Sequence, residues 1–86
     1  MSTEQRTMQM RKSALKGLNA CATQLLPESI VINDMQYAVR NPVPTLLECR
    51  EEIAWLEVNG FIVGLTAGLG GERKWRITDL GRTELF

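Results

Sequence analysis

The stretch PTLLECREEIAWLEVNGFIVGLTAGLGGERKWRITDLG, residues 44 to 81, decides the fold. It reads as a helix, a glycine stop and two short strands joined by a glycine-rich loop. Thr45 offers a hydroxyl to the first free amides of a helix, and Glu48, three residues on, can reach back to the Thr45 amide in a capping box. Pro44 sets the start. Gly60 stands where the helix must end, because a residue without a Cβ enters the left-handed conformation that closes off the last carbonyls. Phe61 to Thr66 then reads as a strand, AGLGGE at 67 to 72 as a turn, and Arg73 to Thr78 as the returning strand. Pairing Ile62 with Ile77 sets Gly64 opposite Trp75, where the missing side chain leaves room for the indole. Thr78 and Asp79 can cap a last helical turn, which Gly81 either breaks or packs closely.

Within the helix expected over 45 to 59, Leu46, Cys49, Ile53 and Leu56 mark one face, the one that packs on the rest of the chain. A turn of about 100° per residue places Leu47, Glu48, Glu51, Trp55 and Val58 roughly opposite. That surface is apolar and acidic. In the returning strand, Lys74 and Arg76 alternate with Trp75 and Ile77, so the two cations leave one outward face, with Arg73 and Arg82 nearby.

Upstream, residues 3 to 26 read as a helix capped by Ser2 or Thr3, with Leu15, Leu18, Ala22 and Leu25 on one face and Met8 extending that stripe. Arg6, Arg11, Lys12 and Lys16 decorate the remainder, and Gly17 weakens the helix by about 1 kcal/mol relative to alanine. The first dozen residues have little to bury against in so small a core. They are expected to form an N-terminal arm over 1–12, frayed or docked on a second copy, ahead of a single domain over 13–86. Pro27 ends the helix, Ile30 to Ile32 reads as a short β-branched strand, and Asn33 as the cap of a helix over 34 to 40 with Met35, Ala38 and Val39 inward. The run Asn41 to Pro44 cannot continue a helix and forms the turn into the next one.

Eighty-six residues, 44% hydrophobic and 23% charged, suit one small domain. No apolar run approaches the roughly 20 residues of a membrane helix, and no signal-peptide pattern opens the chain, so a cytoplasmic protein without membrane contact is expected. Net charge is zero but unevenly placed: residues 1 to 27 carry +3, residues 28 to 60 carry −4, and residues 61 to 86 carry +1. Cys21 and Cys49 both fall at apolar helical positions and, with no histidine in the chain, fit small buried hydrophobes better than a metal site. No cofactor is expected. Neither is an enzyme: no serine, cysteine or lysine has a nucleophile setting, and GLGG lacks the lysine and following helix of a phosphate loop.

A helix ending WLEVNGFI, a two-stranded hairpin and WRITDLGR at its return resemble the winged-helix superfamily of mostly prokaryotic transcription regulators. More faintly, the chain is similar to small winged-helix proteins of Mu-like phages and prophages. The resemblance covers roughly residues 13 to 85, its specific part lying within 53 to 82. It implies an α+β winged helix, three helices with a two- to three-stranded antiparallel wing and an N-terminal helical extension. It also implies double-stranded DNA as partner and makes the helix from 45 the recognition helix. On that helix only Arg50 suits a base edge, while the wing offers Arg73, Lys74 and Arg76 to phosphates. The glutamates of the recognition helix oppose such binding. The second expectation is therefore a protein-interaction or homodimerisation module that uses Leu47, Trp55 and Val58, with Met8 contributing.

Overall fold

A computed structural model describes residues 3–21, 24–66 and 71–85. The elements run α1 (Thr3–Ala20), β1 (Leu26–Pro27), α2 (Glu28–Ala38), α3 (Leu46–Val58), β2 (Ile62–Thr66), β3 (Arg73–Ile77) and α4 (Asp79–Glu84). This is an α+β arrangement of four helices and one three-stranded antiparallel sheet, in the order β1-β3-β2.

The central stretch forms as its residues require. Thr45 Oγ1 accepts from the Glu48 amide at 3.1 Å, and Glu48 Oε1 accepts from the Thr45 amide at 3.3 Å, which completes the capping box. Gly60 takes φ 80° and ends α3. Ile62 pairs with Ile77 and Gly64 with Trp75, the expected register. A Cβ at Gly64 would lie 2.6 Å from the indole, so this position tolerates only glycine while Trp75 holds its place. Thr78 ties the hairpin base to the end of α3: its hydroxyl donates to the Gly60 and Phe61 carbonyls and accepts from the Gly81 amide. Gly81 packs on the Phe61 carbonyl, so the second alternative for this glycine is the one adopted.

The core joins Met10, Ala14, Leu15 and Leu18 of α1, Val31, Ile32 and Met35 of α2, Val39, then Cys49, Ile53 and Leu56 of α3, and Ile62, Trp75 and Ile77 of the sheet. Around it the expected boundaries shift. Ile30 to Ile32 is not a strand but part of α2, which starts six residues earlier than expected. Val31, Ile32, Met35 and Val39 recur at helical spacing and are all buried, so burial outweighs their β-branched preference. The small first strand lies instead at Leu26 and Pro27, opposite Trp75 and Lys74. Proline suits the position before a helix, where its missing amide costs nothing.

The stripe of α1 is also shifted. Met10 is buried and Met8 exposed, Leu25 lies beyond the end of the helix, and Ala22 falls outside the described residues. Leu46, at the first position of α3, is exposed rather than part of the core face, and Ala38 is exposed as well. Asp34 fills the space that Gly17 leaves on α1, since a Cβ there would collide with the Asp34 carboxylate. Cys49 is buried and Cys21 partly so, both as free thiols. Burial, and secondarily the nearby Glu48, pushes the Cys49 thiol up from its usual range.

Candidate nucleic-acid interface

The four cations singled out on α3 and the hairpin separate into two pairs, and strand parity explains most of the division. Side chains alternate across a strand, so Arg73 shares the inward side of β3 with Trp75 and Ile77, whereas Lys74 and Arg76 share the outward side. Arg73 accordingly reaches back over the Trp75 ring, 5.4 Å from its centroid, and places Nη1 3.6 Å from a Glu57 oxygen on α3. Arg50 leans toward the start of α2, its Nε 3.7 Å from Glu28 Oε2. Lys74 and Arg76 are exposed and make no ion pair among the described residues.

The register sets what surrounds these two. Leu65 lies across from Lys74 and Val63 across from Arg76, both exposed on the outward face of β2. Pro27 flanks Lys74 on the other side. Glu72, just ahead of β3, is bonded elsewhere, its Oε1 accepting from the Ser29 amide at 2.7 Å in the first turn of α2. That amide, and then the Ser29 hydroxyl, hold the Glu72 carboxyl below its usual range, with the Lys74 charge the smallest contributor. The outward sheet face therefore carries two cations side by side among apolar neighbours. Pairing Ile62 with Ile77 already places Val63 and Leu65 on this face, so the signal for it was present in the sequence and lay in parity.

The outer side of α3 divides as well. Glu48 and Glu52 are not left to solvent, because α1 crosses beside them. Arg6 Nε donates to Glu48 Oε2 at 3.2 Å, and its Nη1 donates to the Pro42 carbonyl at 2.6 Å. Arg11 Nε donates to Glu52 Oε1 at 2.7 Å while its guanidinium lies 3.5 Å above the Trp55 ring. The Arg6 hydrogen bond, followed by that from the Thr45 amide, holds the Glu48 carboxyl below its usual range. The N-terminal segment thus docks on its own α3, and α1 runs unbroken through position 12.

Comparison with protein families, characterised proteins and solved structures gives no match.

The residues expected to bind a protein divide in the same manner as the cations. Met8 and Trp55 come together around one hollow of about 160 Å³ floored by Leu15 and Leu56, with Phe61 5.7 Å from the Trp55 ring. Leu47 and Val58 lie elsewhere, 66% and 84% exposed, on the solvent side of α3 with Glu51 and Ala54. Among the described residues no group of histidine, cysteine and carboxylate side chains has the arrangement of a metal site, and no helix is long and apolar enough to cross a membrane. The partners of Arg6, Arg11 and Arg50 escape a reading of the sequence, because they lie 22 to 42 residues away and carry no local signature.

Proposed function

We propose that this protein is a small winged-helix module that holds the phosphates of double-stranded DNA on the outward face of its hairpin, in the manner of a transcription regulator. The element order, with α2, a turn and α3 followed by a hairpin, supports the fold reading. The observation that carries the functional one is that Lys74 and Arg76 stand side by side, exposed and without an ion pair among the described residues. Two adjacent cations on a twisted ribbon suit a phosphate backbone, whose neutralisation releases counterions and makes affinity fall with salt. Docking of α1 on Glu48 and Glu52 offsets part of the repulsion that the α3 glutamates would offer, and Glu51 stays exposed. Arg50 and Arg73, each beside a carboxylate, serve as secondary contacts.

The test is a titration of labelled mixed-sequence duplex at two salt concentrations. Two phosphate contacts predict a slope of log affinity against log salt of about −1.8. The double variant Lys74→Glu/Arg76→Glu is expected to lose binding at low salt, and undiminished binding by that variant would overturn the assignment.

A second reading, a protein-interaction or dimerisation surface on α3, draws on the exposure of Leu47 and Val58 on either side of Glu51 and Ala54. It predicts a solution mass above that of one chain, or capture of a partner, that Val58→Asp abolishes. A monomer in solution that captures no partner counts against it.

A further inference from the structure

Glu28 occupies an unusual place for a carboxylate near a proposed phosphate site. It is the first residue of α2, and its side chain is only 19% exposed. One oxygen accepts from the buried Trp75 indole Nε1 at 3.3 Å, which fixes the carboxylate to the back of β3. The other lies 3.7 Å from Arg50 Nε, on a side chain that is 58% exposed. The anchored partner is the acid; the exposed one is the base. Both line an open groove of about 500 Å³ between α2, α3 and the start of β3, shared with Asn33, Gln36, Arg73 and a second carboxylate, Glu72, whose Oε1 is taken up by the Ser29 amide.

From this we infer that Glu28 restrains Arg50 and sets how strongly the groove takes a phosphate. The inference rests on the nucleic-acid reading above and concerns its regulation. In the free protein the carboxylate holds the one cation that α3 turns toward this groove. An approaching phosphate must compete with an oxygen that already has a second, structural anchor and does not leave. Contact through Arg50 is thereby kept weak, and binding falls mainly to Lys74 and Arg76. A geometrically matched duplex still draws the guanidinium away, since an ion pair at 3.7 Å and more than half exposed on one side is held loosely.

Glu28→Gln separates the two roles of this side chain. The amide oxygen still accepts from the Trp75 indole, while the charge that holds Arg50 is gone. In duplex titrations at about 50 mM salt, Glu28→Gln is expected to bind roughly 3- to 10-fold tighter than the parent, with a salt slope steeper by about 0.9. The gain is expected to vanish when Arg50→Gln is combined with it. No gain, or the same gain without Arg50, overturns the inference.

A second measurement needs no duplex. Inorganic phosphate is titrated while the Arg50 Nε–H resonance is followed by NMR. In Glu28→Gln the shift should saturate at several-fold lower phosphate than in the parent, and superimposable curves overturn the role given to Glu28. If no variant binds duplex at all, the nucleic-acid reading fails, and the phosphate titration still decides what Glu28 does.

Discussion

The seam between α1 and α3 and the outward face of the hairpin both carry two neighbouring cations, and the molecule uses them in opposite ways. On the seam, Arg6 and Arg11 are each bonded to a glutamate, one also to a carbonyl and the other stacked on Trp55. On the hairpin, Lys74 faces Leu65 and Arg76 faces Val63 across the strand, and neither forms an ion pair among the described residues. Paired cations on partly buried side chains fasten helices, while cations without partners on an exposed sheet add little to stability and remain available to an outside anion. Local sequence does not announce the difference, since Arg6 stands between Gln5 and Thr7, Arg11 between Met10 and Lys12, and Lys74 and Arg76 on either side of Trp75. What separates them is whether another element brings a carboxylate within reach.

Removing the support of the hairpin face should have the largest effect. Trp75 is buried between the sheet and the helices, and Trp75→Ala is expected to cost about 3–5 kcal/mol. A chain of this size has about 5–15 kcal/mol in total, so urea unfolding should show a variant close to the limit of folding. Gly64→Val should approach the same loss by driving its side chain into the indole.

Reversing the charges on that face comes next and sharpens the contrast. Lys74→Glu/Arg76→Glu should change unfolding free energy by no more than about 0.5 kcal/mol per site, as exposed substitutions do. Duplex binding at low salt should nevertheless fall by an order of magnitude or more. A large stability loss would mean that these cations fasten the fold after all, as those of the seam do.

On the seam the expectation is inverted. Arg11→Ala removes the ion pair with Glu52 and the stacking on Trp55 and should cost about 1–2 kcal/mol, read as a lower urea midpoint. Trp55 fluorescence should change at the same time, because the guanidinium that covers its ring is gone. Duplex binding should fall far less than in the hairpin variant, since Glu52 is freed to repel phosphates while no hairpin phosphate contact is touched.

The hairpin was legible in the sequence and the seam was not, for a physical reason. Capping box, glycine stop and strand register depend on neighbours within a few residues or on a short loop, and the glycine opposite Trp75 even announced the pairing. The order of helix, two strands and last helical turn within 44 to 81 followed from the same stretch, whereas the first strand, expected at Ile30 to Ile32, lies at Leu26–Pro27. The start of α2 is hidden because Ile30, Val31 and Ile32 favour strands locally, while the burial of Val31 and Ile32 that makes the segment helical depends on α1 and α3. Arg6 and Arg11 look like a solvated face because Glu48 and Glu52 lie about 40 residues on. Arg50 stands out in the sequence as the cation of α3, yet Glu28 beside it has no signature at all.

The smallest expected effect is the pH dependence that the seam confers. In the folded chain the Glu48 carboxyl sits below its ordinary value of 4.5, chiefly through the Arg6 hydrogen bond and then through the Thr45 amide. A carboxyl depressed by folding stabilises the fold above its unfolded pKa, and the contribution disappears as pH falls through the lower, folded value. The stabilisation is therefore complete above about pH 4.5 and lost below it. Because Glu48 is part-exposed and solvent screens the pair, the thermal midpoint should move only slightly on this account. Arg6→Gln offers the cleaner reading. It removes the largest cause of the depression and leaves the capping box with Thr45 in place, so the Glu48 pKa measured by NMR titration should rise part of the way back. Full recovery would show that the cap contributes nothing to the shift, and no recovery would show that Arg6 does not hold Glu48 in solution. The hairpin variants should leave the Glu48 titration where it is, since Lys74 and Arg76 take no part in this network.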